Sequence, residues 1–569
     1  MVYKIADNVT TPLGGTTEEN LRTVVSGGSA LRQYQDYEGI PEAFTASLFS
    51  KEQRRGMQEE GLTPFESMVV ASVRKALEVS AIEVGSERVV FILSTTKGNI
   101  ALVAEGGRDE REYPGVSARR IAERIGVRTA PIVVCNACIS GLAAIILAER
   151  LLSGGEYDYA IVSGADSQGK FIISGFQSLK ALSAEQCRPF DEERMGLNLG
   201  EAAATMILGR KKTQEGQWTI GAGYVRNDGY HISAPSRTGL GARKAIEAVI
   251  EGRERGEIAC VNAHGTATMF NDQMESVAIE GSGLGDIAVN SLKGYYGHTM
   301  GAAGVLETIV TMKAIEEGTV LGTRGYGERG VSGKIKVQKE NGKTDKTSFV
   351  KMLSGFGGCN AATWCSKEER AEMMIGKRAT KTTHRVRITP GTVEVDGEKI
   401  ETKSTGREML TELYHERVGD YPKYHKMDML SKLGFIATEL LLGAEGGERF
   451  VDREDRAIVF FNRTSSIDTD RHYQETIADA GKYFPSPALF VYTLPNIVTG
   501  EIAIRNHYHG ETSFYVLAER DEEMIERVVR VTLRDEATQS IVTGWIDYED
   551  EERFEADIRL EEVERWEAR

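Results

Sequence analysis

Short apolar runs alternate with helical patterns along roughly the first 365 residues. Arg88–Leu93 and Tyr159–Ser163 contain continuous apolar runs of strand length, whereas Gly141–Arg150 has its apolar positions at helical spacing. Regular alternation of strands and helices predicts a layered α/β fold for this part of the chain.

The pattern changes after residue 366. Residues 367–384 are mostly charged and polar, and we interpret them as a connector. Beyond them, the alternating stretch Val393–Ile400 is interrupted by Asp396 and Gly397. An Asp-Gly pair between alternating positions is a strong signal of a β-hairpin. The chain is therefore predicted to carry a second, smaller α/β domain at residues 385–569.

The C-terminal part weakly repeats the N-terminal part. The matching segments are Ile541–Asp547 with Ile161–Asp166, and Val459–Thr464 with Val90–Thr95. Extending the first register backward without a gap sets Ala518 opposite Cys138. We interpret the C-terminal part as a degenerate half copy that has lost the cysteine. The alternative is chance similarity between two strand–turn segments.

Length, charge and cysteine usage limit the classes of function. A chain of 569 residues exceeds what one hydrophobic core usually organises. The formal net charge of -16 argues against a nucleic-acid partner, because a phosphate backbone binds a basic face. The sequence shows neither a membrane-length apolar run nor the pattern of a secretory signal. The six cysteines do not form a disulfide framework, so a cytoplasmic protein is expected.

One cysteine lies where a strand pattern changes into a helix pattern. Small residues surround Cys138, between the apolar run that ends at Val134 and the helical pattern that begins at Gly141. Free backbone N–H groups and the positive end of a helix dipole at such a junction favour a thiolate, which attacks thioesters. For a lone cysteine the alternative is packing as a small buried hydrophobe.

Two histidines lie in loops rich in small residues. His264 is surrounded by small and hydroxyl residues, and His298 follows Lys293 in a glycine-bracketed loop that leads into a helix. Only three of the nine histidines precede residue 366, and two of them fall in these loops. This distribution favours a joint role with Cys138 over separate structural roles.

Taken together and in order, these segments resemble the motifs of the β-ketoacyl synthases, in the elongating branch of the thiolase superfamily with a Cys-His-His triad. The matching segments span nearly all of residues 1–365: Asn136–Gly141, Arg188–Asp191, Gly200–Glu201, Tyr230–Pro235, His264–Thr268, Lys293, Gly297–His298, Gly301–Gly304 and Gly355–Asn360. The resemblance implies a 3-oxoacyl-[acyl-carrier-protein] synthase, an acyltransferase of fatty-acid or of polyene- and polyketide-like biosynthesis.

The resemblance also implies an architecture. It is a thiolase-like five-layered α/β/α/β/α sandwich of two halves: residues 1–210, with the nucleophile, and residues 211–366, with both catalytic histidines. A degenerate synthase-like domain without a nucleophile would follow at residues 385–569. Members of the family usually assemble as dimers whose interface lies beside the nucleophile strand, so a homodimer is expected.

The resemblance assigns a role to each catalytic group. Cys138 would take an acyl group from the phosphopantetheine arm of an acyl carrier protein. The backbone N–H groups of Cys138 and Phe356 would form the oxyanion hole for this transfer. His264 and His298 would then donate hydrogen bonds to the malonyl thioester and stabilise the enolate that forms as carbon dioxide leaves.

Further residues would support this site. Gly355 and Gly357 flank Phe356 and tolerate the unusual dihedral angles of the oxyanion turn, and Phe356 would also gate the acyl pocket. Lys293 would pair with Glu275 and keep the imidazoles neutral through its charge; a purely structural ion pair is the alternative. This chemistry requires no metal, nucleotide or flavin, because the acyl and malonyl substrates are carried as thioesters.

The sequence departs from the family's motifs at several positions. Ala267 replaces a glycine of the first histidine motif, Asn271 replaces the glycine before an aspartate, and Ser354 stands where many relatives have phenylalanine. These positions line or support the substrate pocket in the family, so they leave the acyl chain length open. Cys359, beside the glycine turn, is interpreted as packing rather than as a second thiolase-type cysteine.

Two other functions stay open at this point. A thiolase or a starter-unit synthase would use a Cys-His-Asn or Cys-His-Cys site, against which His298 argues. A non-catalytic partner that sets chain length belongs to another class, and such partners generally lose the nucleophile, which this chain retains as Cys138. We also hypothesise that the C-terminal domain acts as a pseudo-partner surface.

Overall fold

The computed structural model describes residues 1–106, 108–368 and 378–564. Residues 2–209 form one half of a sandwich of sheets and helices. Its strands are β1 (Val2–Thr10), β2 (Arg32–Tyr34), β3 (Phe44–Ser47), β4 (Val89–Ser94), β5 (Ile132–Val134), β6 (Tyr159–Asp166), β7 (Leu199–Gly200) and β8 (Ala202–Gly209). Its helices are α1 (Thr17–Val25), α2 (Lys51–Met57), α3 (Pro64–Glu78), α4 (Ala101–Ala104), α5 (Pro114–Ile125), α6 (Ser140–Ser153) and α7 (Lys170–Ser178).

The main sheet of this half has the strand order β1-β8-β6-β4-β5. β4, β5 and β6 are parallel, and β8 is antiparallel to both β6 and β1. Every residue of β4 is buried, because helices cover both faces of the sheet. Burial on both faces explains the continuous apolar run that the sequence has here.

Residues 219–366 form the second half. Its strands are β9 (Thr219–Asn227), β10 (Ile258–Asn262), β11 (Ala288–Asn290), β12 (Thr319–Val320), β13 (Lys336–Val337), β14 (Gly342–Lys343), β15 (Ser348–Gly355) and β16 (Cys359–Ser366). Its helices are α8 (Leu240–Ile250), α9 (Met269–Gly281), α10 (Lys293–Tyr296) and α11 (Ala303–Glu316). The main sheet runs in the order β9-β16-β15-β10-β11-β13.

Two central helices, α6 and α11, pack against each other between the two sheets. Their contact is close because glycines meet there: a side-chain carbon on Gly304 would lie 2.1 Å from the backbone nitrogen of Leu142. On the outer faces lie α3 and α5 on one side and α8 and α9 on the other. The result is the predicted α/β/α/β/α sandwich, with the start of α6 at its centre.

The C-terminal part is a smaller α/β unit. Its strands are β17 (Thr380–Thr389), β18 (Thr392–Val395), β19 (Glu398–Lys399), β20 (Arg456–Asn462), β21 (Thr512–Val516), β22 (Ser540–Asp550) and β23 (Arg553–Val563). Its helices are α12 (Gly406–Leu413), α13 (Met429–Glu445), α14 (Ile467–Ala478), α15 (Pro487–Tyr492), α16 (Ile497–Asn506) and α17 (Glu522–Thr532). The sheet runs in the order β21-β20-β22-β23-β17-β18-β19.

The start of this unit differs from the sequence-based boundary. The hairpin is present: β18 and β19 pair across Asp396 and Gly397, both at positive φ. However, β17 begins at Thr380, inside the predicted connector, and part of that connector (369–377) lies outside the described residues. The first six residues of β17 are polar, and none of them is buried; pairing with β23 holds the strand in place.

The two parts share one topology. β20 is parallel to β21 and β22, just as β4 is parallel to β5 and β6. The carboxylate of Asp547 accepts hydrogen bonds from Thr464 after β20, at 2.7 Å from its hydroxyl. In the same way Asp166 accepts from Thr95 and Thr96 after β4. Ala518 lies between β21 and α17, in the place that Cys138 has between β5 and α6.

The edge strand of the C-terminal sheet pairs with the edge strand of the N-terminal sheet. β21 pairs with β5 in antiparallel orientation, with Tyr515 opposite Val134 and Val516 opposite Val133. Asn136 extends this contact, since its amide donates to the carbonyl of Thr512 at 3.0 Å and accepts from the N–H of Phe514 at 2.9 Å. The nucleophile strand therefore has its free edge covered by the C-terminal part of the same chain.

Buried ion pairs also link the two parts. Arg150 of α6 pairs with Glu511 at 2.7 Å, and Lys97 pairs with Asp470 of α14 at 2.9 Å. All four side chains are less than a tenth exposed. Removing one partner of such a pair leaves an uncompensated buried charge, so these contacts require the two parts to stay together.

Among the described residues, no helix has the length and hydropathy needed to cross a membrane.

Candidate active site

Cys138 lies in a single turn of helix, Ala137–Ile139, between β5 and α6. The chain turns sharply here: Ala137 has a φ of 46°, and the hydroxyl of Ser140 donates to the carbonyl of Ala137 at 2.6 Å while accepting from the N–H of Asn136 at 2.8 Å. Cys138 as a whole residue is 9% exposed, and it lines the inner end of a cavity of about 410 Å³. The cavity opens past Met195, Met269 and Phe270.

His264 and His298 lie beside Cys138. Nitrogen atoms of the two imidazoles and the sulfur of Cys138 all lie within 4.8 Å of one another, and the rings stand nearly perpendicular, 4.9 Å apart. Nδ1 of His298 accepts the N–H of Met300 at 3.4 Å, which leaves the proton on Nε2. That Nε2 is buried and has no hydrogen-bond partner among the described residues. It is a donor available to a substrate.

Both imidazoles are held neutral. Burial, followed by the positive charge of Lys293, lowers the pKa of His264 and of His298 well below the usual value. Desolvation and a nearby like charge both disfavour the imidazolium ion. The two rings therefore present neutral N–H donors across the physiological pH range.

Cys138 differs from the sequence-based prediction in its protonation. The junction with α6 predicted a thiolate, but burial raises the pKa of the Cys138 thiol to about 12, and the charge of Lys293 only partly opposes this. Burying a thiolate away from water costs more free energy than the N–H groups at the start of a helix recover. The unliganded site therefore holds a neutral thiol, which must lose its proton as it attacks.

The predicted pairing of Lys293 with Glu275 is wrong. Lys293 pairs instead with Glu307 of α11, whose second carboxylate oxygen lies 2.7 Å from the ammonium group of Lys351 on β15. All three charged side chains are at most 2% exposed. Although burial raises the pKa of Glu307, the two lysines outweigh it and the pKa lies below its usual value. The triad carries one net positive charge behind the histidines.

Glu275 has a different role. Its carboxylate accepts the N–H groups of His264 and Gly265, each at 2.7 Å, and the side-chain amide of Asn271 at 2.8 Å. Burial, together with the charge of Asp272, raises the pKa of Glu275 to about 7. α9 directs this side chain at the backbone of the His264 loop, so Glu275 fixes the loop rather than the lysine.

Glu307 and Lys351 lie outside the motifs that predict the site. Each is a lone charged residue in an apolar run, Glu307 in Gly304–Val310 and Lys351 in Phe349–Leu353. Charged residues are almost never fully buried unless they are paired. A single acid and a single base of opposite sign in two buried segments are the signal that would have predicted this contact.

We expect Glu307→Gln to lower the free energy of unfolding by about 3–5 kcal/mol, because it leaves two buried ammonium groups facing each other without an anion. Chemical denaturation measures this change. Glu316→Gln, on the same helix but 28% exposed, is the matched control and should cost less than about 1 kcal/mol. Equal effects of the two substitutions would contradict the buried contact of Glu307 with Lys293 and Lys351.

The turn Gly355–Gly358 closes the other side of the site. Gly357 and Gly358 have φ values of 89° and 74°, which glycine adopts without strain. A side-chain carbon on Gly355 would lie 3.3 Å from the backbone nitrogen of Cys138, so the turn runs directly beside the nucleophile. Phe356 lines the cavity and stacks on Phe176, with ring centroids 6.4 Å apart.

The departures from the motifs have local consequences. Ala267 has a φ of 66°, the left-handed region that the family's glycine adopts freely, and its N–H donates to Asp272. Ser354 donates its hydroxyl hydrogen to Asn360 at 2.7 Å and lines the cavity. The thiol of Cys359 is buried and donates to the carbonyl of Phe356 at 3.3 Å. That bond directs it into the turn.

The layered fold and the Cys-His-His arrangement define a thiolase-like condensing enzyme, and comparison with known proteins agrees. The N-terminal domain of β-ketoacyl synthases matches residues 5–214, and the C-terminal domain of β-ketoacyl synthases matches residues 219–326. The chain belongs to the β-ketoacyl synthase family, whose members are condensing acyltransferases.

Individual relatives extend this result. The chain is 27% identical to 3-oxoacyl-[acyl-carrier-protein] synthase 2 of Vibrio cholerae, over 62% of this chain and 95% of that protein. It is 30% identical to nodulation protein E of Rhizobium meliloti, over 47% of this chain and 71% of that protein. The solved PfaC keto synthase–chain length factor covers 99% of this chain with a TM-score of 0.75 at 13% identity, and this chain covers 78% of it. That likeness concerns the fold, and it includes the C-terminal part.

Proposed function

We propose that the site catalyses a decarboxylative condensation in which Cys138 holds the acyl chain and a malonyl thioester extends it by two carbons. The observation that carries the proposal is the arrangement at the inner end of the cavity: a thiol, two neutral imidazoles within 4.8 Å, and a glycine turn against the nucleophile's backbone. Each group matches one step of this reaction.

The first step is acyl transfer to Cys138. The sulfur attacks the carbonyl carbon of the incoming thioester, the new S–C bond forms, and the carbonyl π electrons move onto oxygen. The backbone N–H groups of Cys138 and Phe356 stabilise that oxyanion. The C–S bond to the carrier arm then breaks, and the thiol proton of Cys138 passes to the departing thiolate. This proton transfer is needed because burial raises the pKa of Cys138 to about 12.

The second step is decarboxylation. His264 and His298 donate hydrogen bonds to the malonyl thioester carbonyl, the C–C bond to the carboxylate breaks, and its electron pair enters the enolate as carbon dioxide leaves. The enolate carbon attacks the acyl carbonyl, and the sulfur of Cys138 leaves as a thiolate, which takes up a proton from solvent and returns to the neutral thiol. Lys293 and Lys351 place positive charge behind both imidazoles, which supports neutral rings throughout.

We propose that an acyl carrier protein delivers both substrates through the mouth of the cavity. Met195, Met269 and Phe270 line this mouth and are more than half exposed, an apolar rim of the kind that partners cover. Lys180 is exposed at the same rim. His231 also lines the cavity, and its pKa is lowered by burial and then by the charge of Lys423, which therefore lies nearby. These lysines suit the phosphate of a phosphopantetheine arm.

We propose that the reaction uses no resident metal or other cofactor. Among the described residues, Cys138, His264 and His298 form the one group of donors spaced to hold a cation. The positive charge of Lys293 opposes a cation there, and burial keeps the Cys138 thiol protonated. A chelator should therefore leave the rate of acylation unchanged.

We also propose a cytoplasmic location, which the six free thiols of the chain support.

We propose that the active unit is a single chain. The homodimer expected from the family resemblance would use the edge of β5, but β21 occupies that edge, so a second copy would need another surface. Light scattering after size-exclusion chromatography should give the monomer mass of 62.5 kDa. Twice this mass at micromolar concentration would contradict the single-chain unit.

The first test of the condensing function is formation of the acyl-enzyme. The protein is incubated with a panel of acyl carrier proteins bearing chains of different lengths, and intact mass spectrometry detects the adduct. We expect one acyl group per chain, located on Cys138 by peptide mapping. Absence of an adduct with every donor, or an adduct on another cysteine, would sink the proposal.

A further inference from the structure

The C-terminal part reaches the active-site turn at the start of α16. Asn496, the residue before α16, is 1% exposed, and its side-chain amide donates to the carbonyl of Phe356 at 2.9 Å. The same amide lies 3.9 Å from the sulfur of Cys359. Asn496 belongs to the part of the chain that has lost the nucleophile, yet it contacts the peptide that follows Phe356.

The backbone of α16 packs on the same turn. A side-chain carbon on Gly500 would lie 2.6 Å from the carbonyl oxygen of Gly357, and one on Gly357 would lie 2.7 Å from the amide nitrogen of Asn496. Two glycines thus bring the helix and the turn to backbone contact. The position of the turn is set by α16 as well as by its own half.

Residues of the second half of the sandwich also hold the turn. The N–H of Gly357 donates to the carbonyl of Ile232 at 2.6 Å, and its carbonyl accepts the side-chain amide of Asn227 at 2.8 Å. Asn227 in turn bonds the hydroxyl of Thr512 on β21 at 3.0 Å. The carbonyl of Phe356 is held by Asn496 and by the weaker thiol donor of Cys359.

We propose that Asn496 is a positioning residue: by holding the Phe356 carbonyl it fixes the peptide that follows Phe356. This restricts rotation about the Cα of Phe356, and so limits how far the Phe356 N–H, in the preceding peptide, can turn away from the oxyanion hole. The non-catalytic part of the chain then completes the catalytic site. This inference rests on the proposed function, because it assigns Asn496 to the acyl-transfer step of that reaction.

Three rates distinguish a positioning role of Asn496 from a general loss of structure. Acylation of Cys138 depends on the oxyanion hole, whereas alkylation of the same thiol by iodoacetamide forms no oxyanion. Decarboxylation of malonyl carrier protein depends on the histidines. Loss of one well-placed oxyanion donor costs about 10²–10³-fold in rate, so a displaced donor should cost about 10- to 100-fold. Asn496→Leu should lower acylation by that factor and leave alkylation and decarboxylation within about twofold.

A second variant tests the hydrogen bond itself. In Asn496→Asp, which is nearly isosteric, a neutral carboxyl group donates its proton to the Phe356 carbonyl, whereas the carboxylate repels it. Burial raises the pKa of such a carboxyl group, so the change falls within an accessible pH range. Acylation by this variant should decline as pH rises through that titration, relative to the wild type at each pH. Alkylation and decarboxylation, relative to the wild type at each pH, should not decline with acylation, whereas a purely structural effect of the buried charge would lower all three rates.

Asn506→Leu is the matched control, because Asn506 lies at the end of the same helix, is equally buried, and bonds Ile502 and Arg449 instead of the turn. It should acylate at the wild-type rate. The inference is overturned if the folded Asn496 variants acylate like the wild type, or if their three rates fall together. A wild-type protein that forms no acyl-enzyme at all refutes the proposed function instead, so the two failures are distinguishable.

Discussion

Cys138→Ala should abolish acyl-enzyme formation and condensation, with a loss of more than about 10⁴-fold in the rate of acyl transfer. Removing a nucleophile from a catalytic unit eliminates the covalent route, and only binding and the oxyanion hole remain. Malonyl decarboxylation should persist in this variant, because it relies on His264 and His298. Intact mass spectrometry follows the adduct, and release of carbon dioxide follows decarboxylation.

The control for this substitution is Cys260→Ala. Cys260 is a fully buried thiol on β10 whose pKa burial raises to about 12, as for Cys138. It lies away from the cavity, so its removal should leave acylation within a few-fold of the wild type. Acylation that survives in Cys138→Ala, or that is lost equally in both variants, would contradict the assignment of Cys138.

His298→Ala should have the opposite profile. Acylation of Cys138 should continue, while decarboxylation of malonyl carrier protein should fall by about 10²–10³-fold, the cost of one donor to a developing oxyanion. His298→Asn, which keeps a side-chain N–H donor, should recover part of the rate. The exposed His472 of α14 provides a control, and His472→Ala should change neither rate.

Equal loss of acylation and decarboxylation in His298→Ala would place His298 in the first step instead. The pH dependence gives a second criterion. Because the pKa of His298 lies well below its usual value, protonation should not reduce decarboxylation between about pH 6 and 8. Glu275, beside His264, has a pKa raised to about 7 and titrates in the same range. A loss of decarboxylation as the pH is lowered through 6.5 that persists in Glu275→Gln would mean that the imidazole is less buried than the structure has it.

Much of the fold could be predicted from local pattern. The strand β4 reads as an apolar run because both of its faces are covered, and the hairpin at Asp396 follows from turn chemistry. The boundary near residue 380 could not be predicted, because β17 is polar and is fixed by pairing with β23, more than 150 residues away. Long-range pairing leaves no local signal in an exposed strand.

The grouping of Cys138 with His264 and His298 was predictable, because all three lie in segments rich in small residues that follow the family's order. The partner of Lys293 was not predictable, because Glu307 and Glu275 are both buried acids on helices and only tertiary packing decides which one faces the lysine. The thiolate prediction for Cys138 failed for a related reason. The start of a helix is visible in the sequence, whereas the depth of burial that opposes it is not.

The C-terminal part gains a physical meaning from the structure. The sequence indicated a half copy with Ala518 in place of the nucleophile, and pairing of β21 with β5 puts that copy where the family resemblance predicted a second subunit. Asn496 and Gly500 then bring it into contact with the oxyanion turn. Loss of the thiol is compatible with a continuing role in catalysis.

The most direct measurement is a single turnover with both substrates. Isolated acyl-enzyme is mixed with malonyl carrier protein, and the carrier-bound product and released carbon dioxide are quantified together. Decarboxylative condensation predicts one 3-oxoacyl product, two carbons longer than the bound acyl group, for each carbon dioxide released. Carbon dioxide without chain extension, or a product that keeps the malonyl carboxylate, would contradict it.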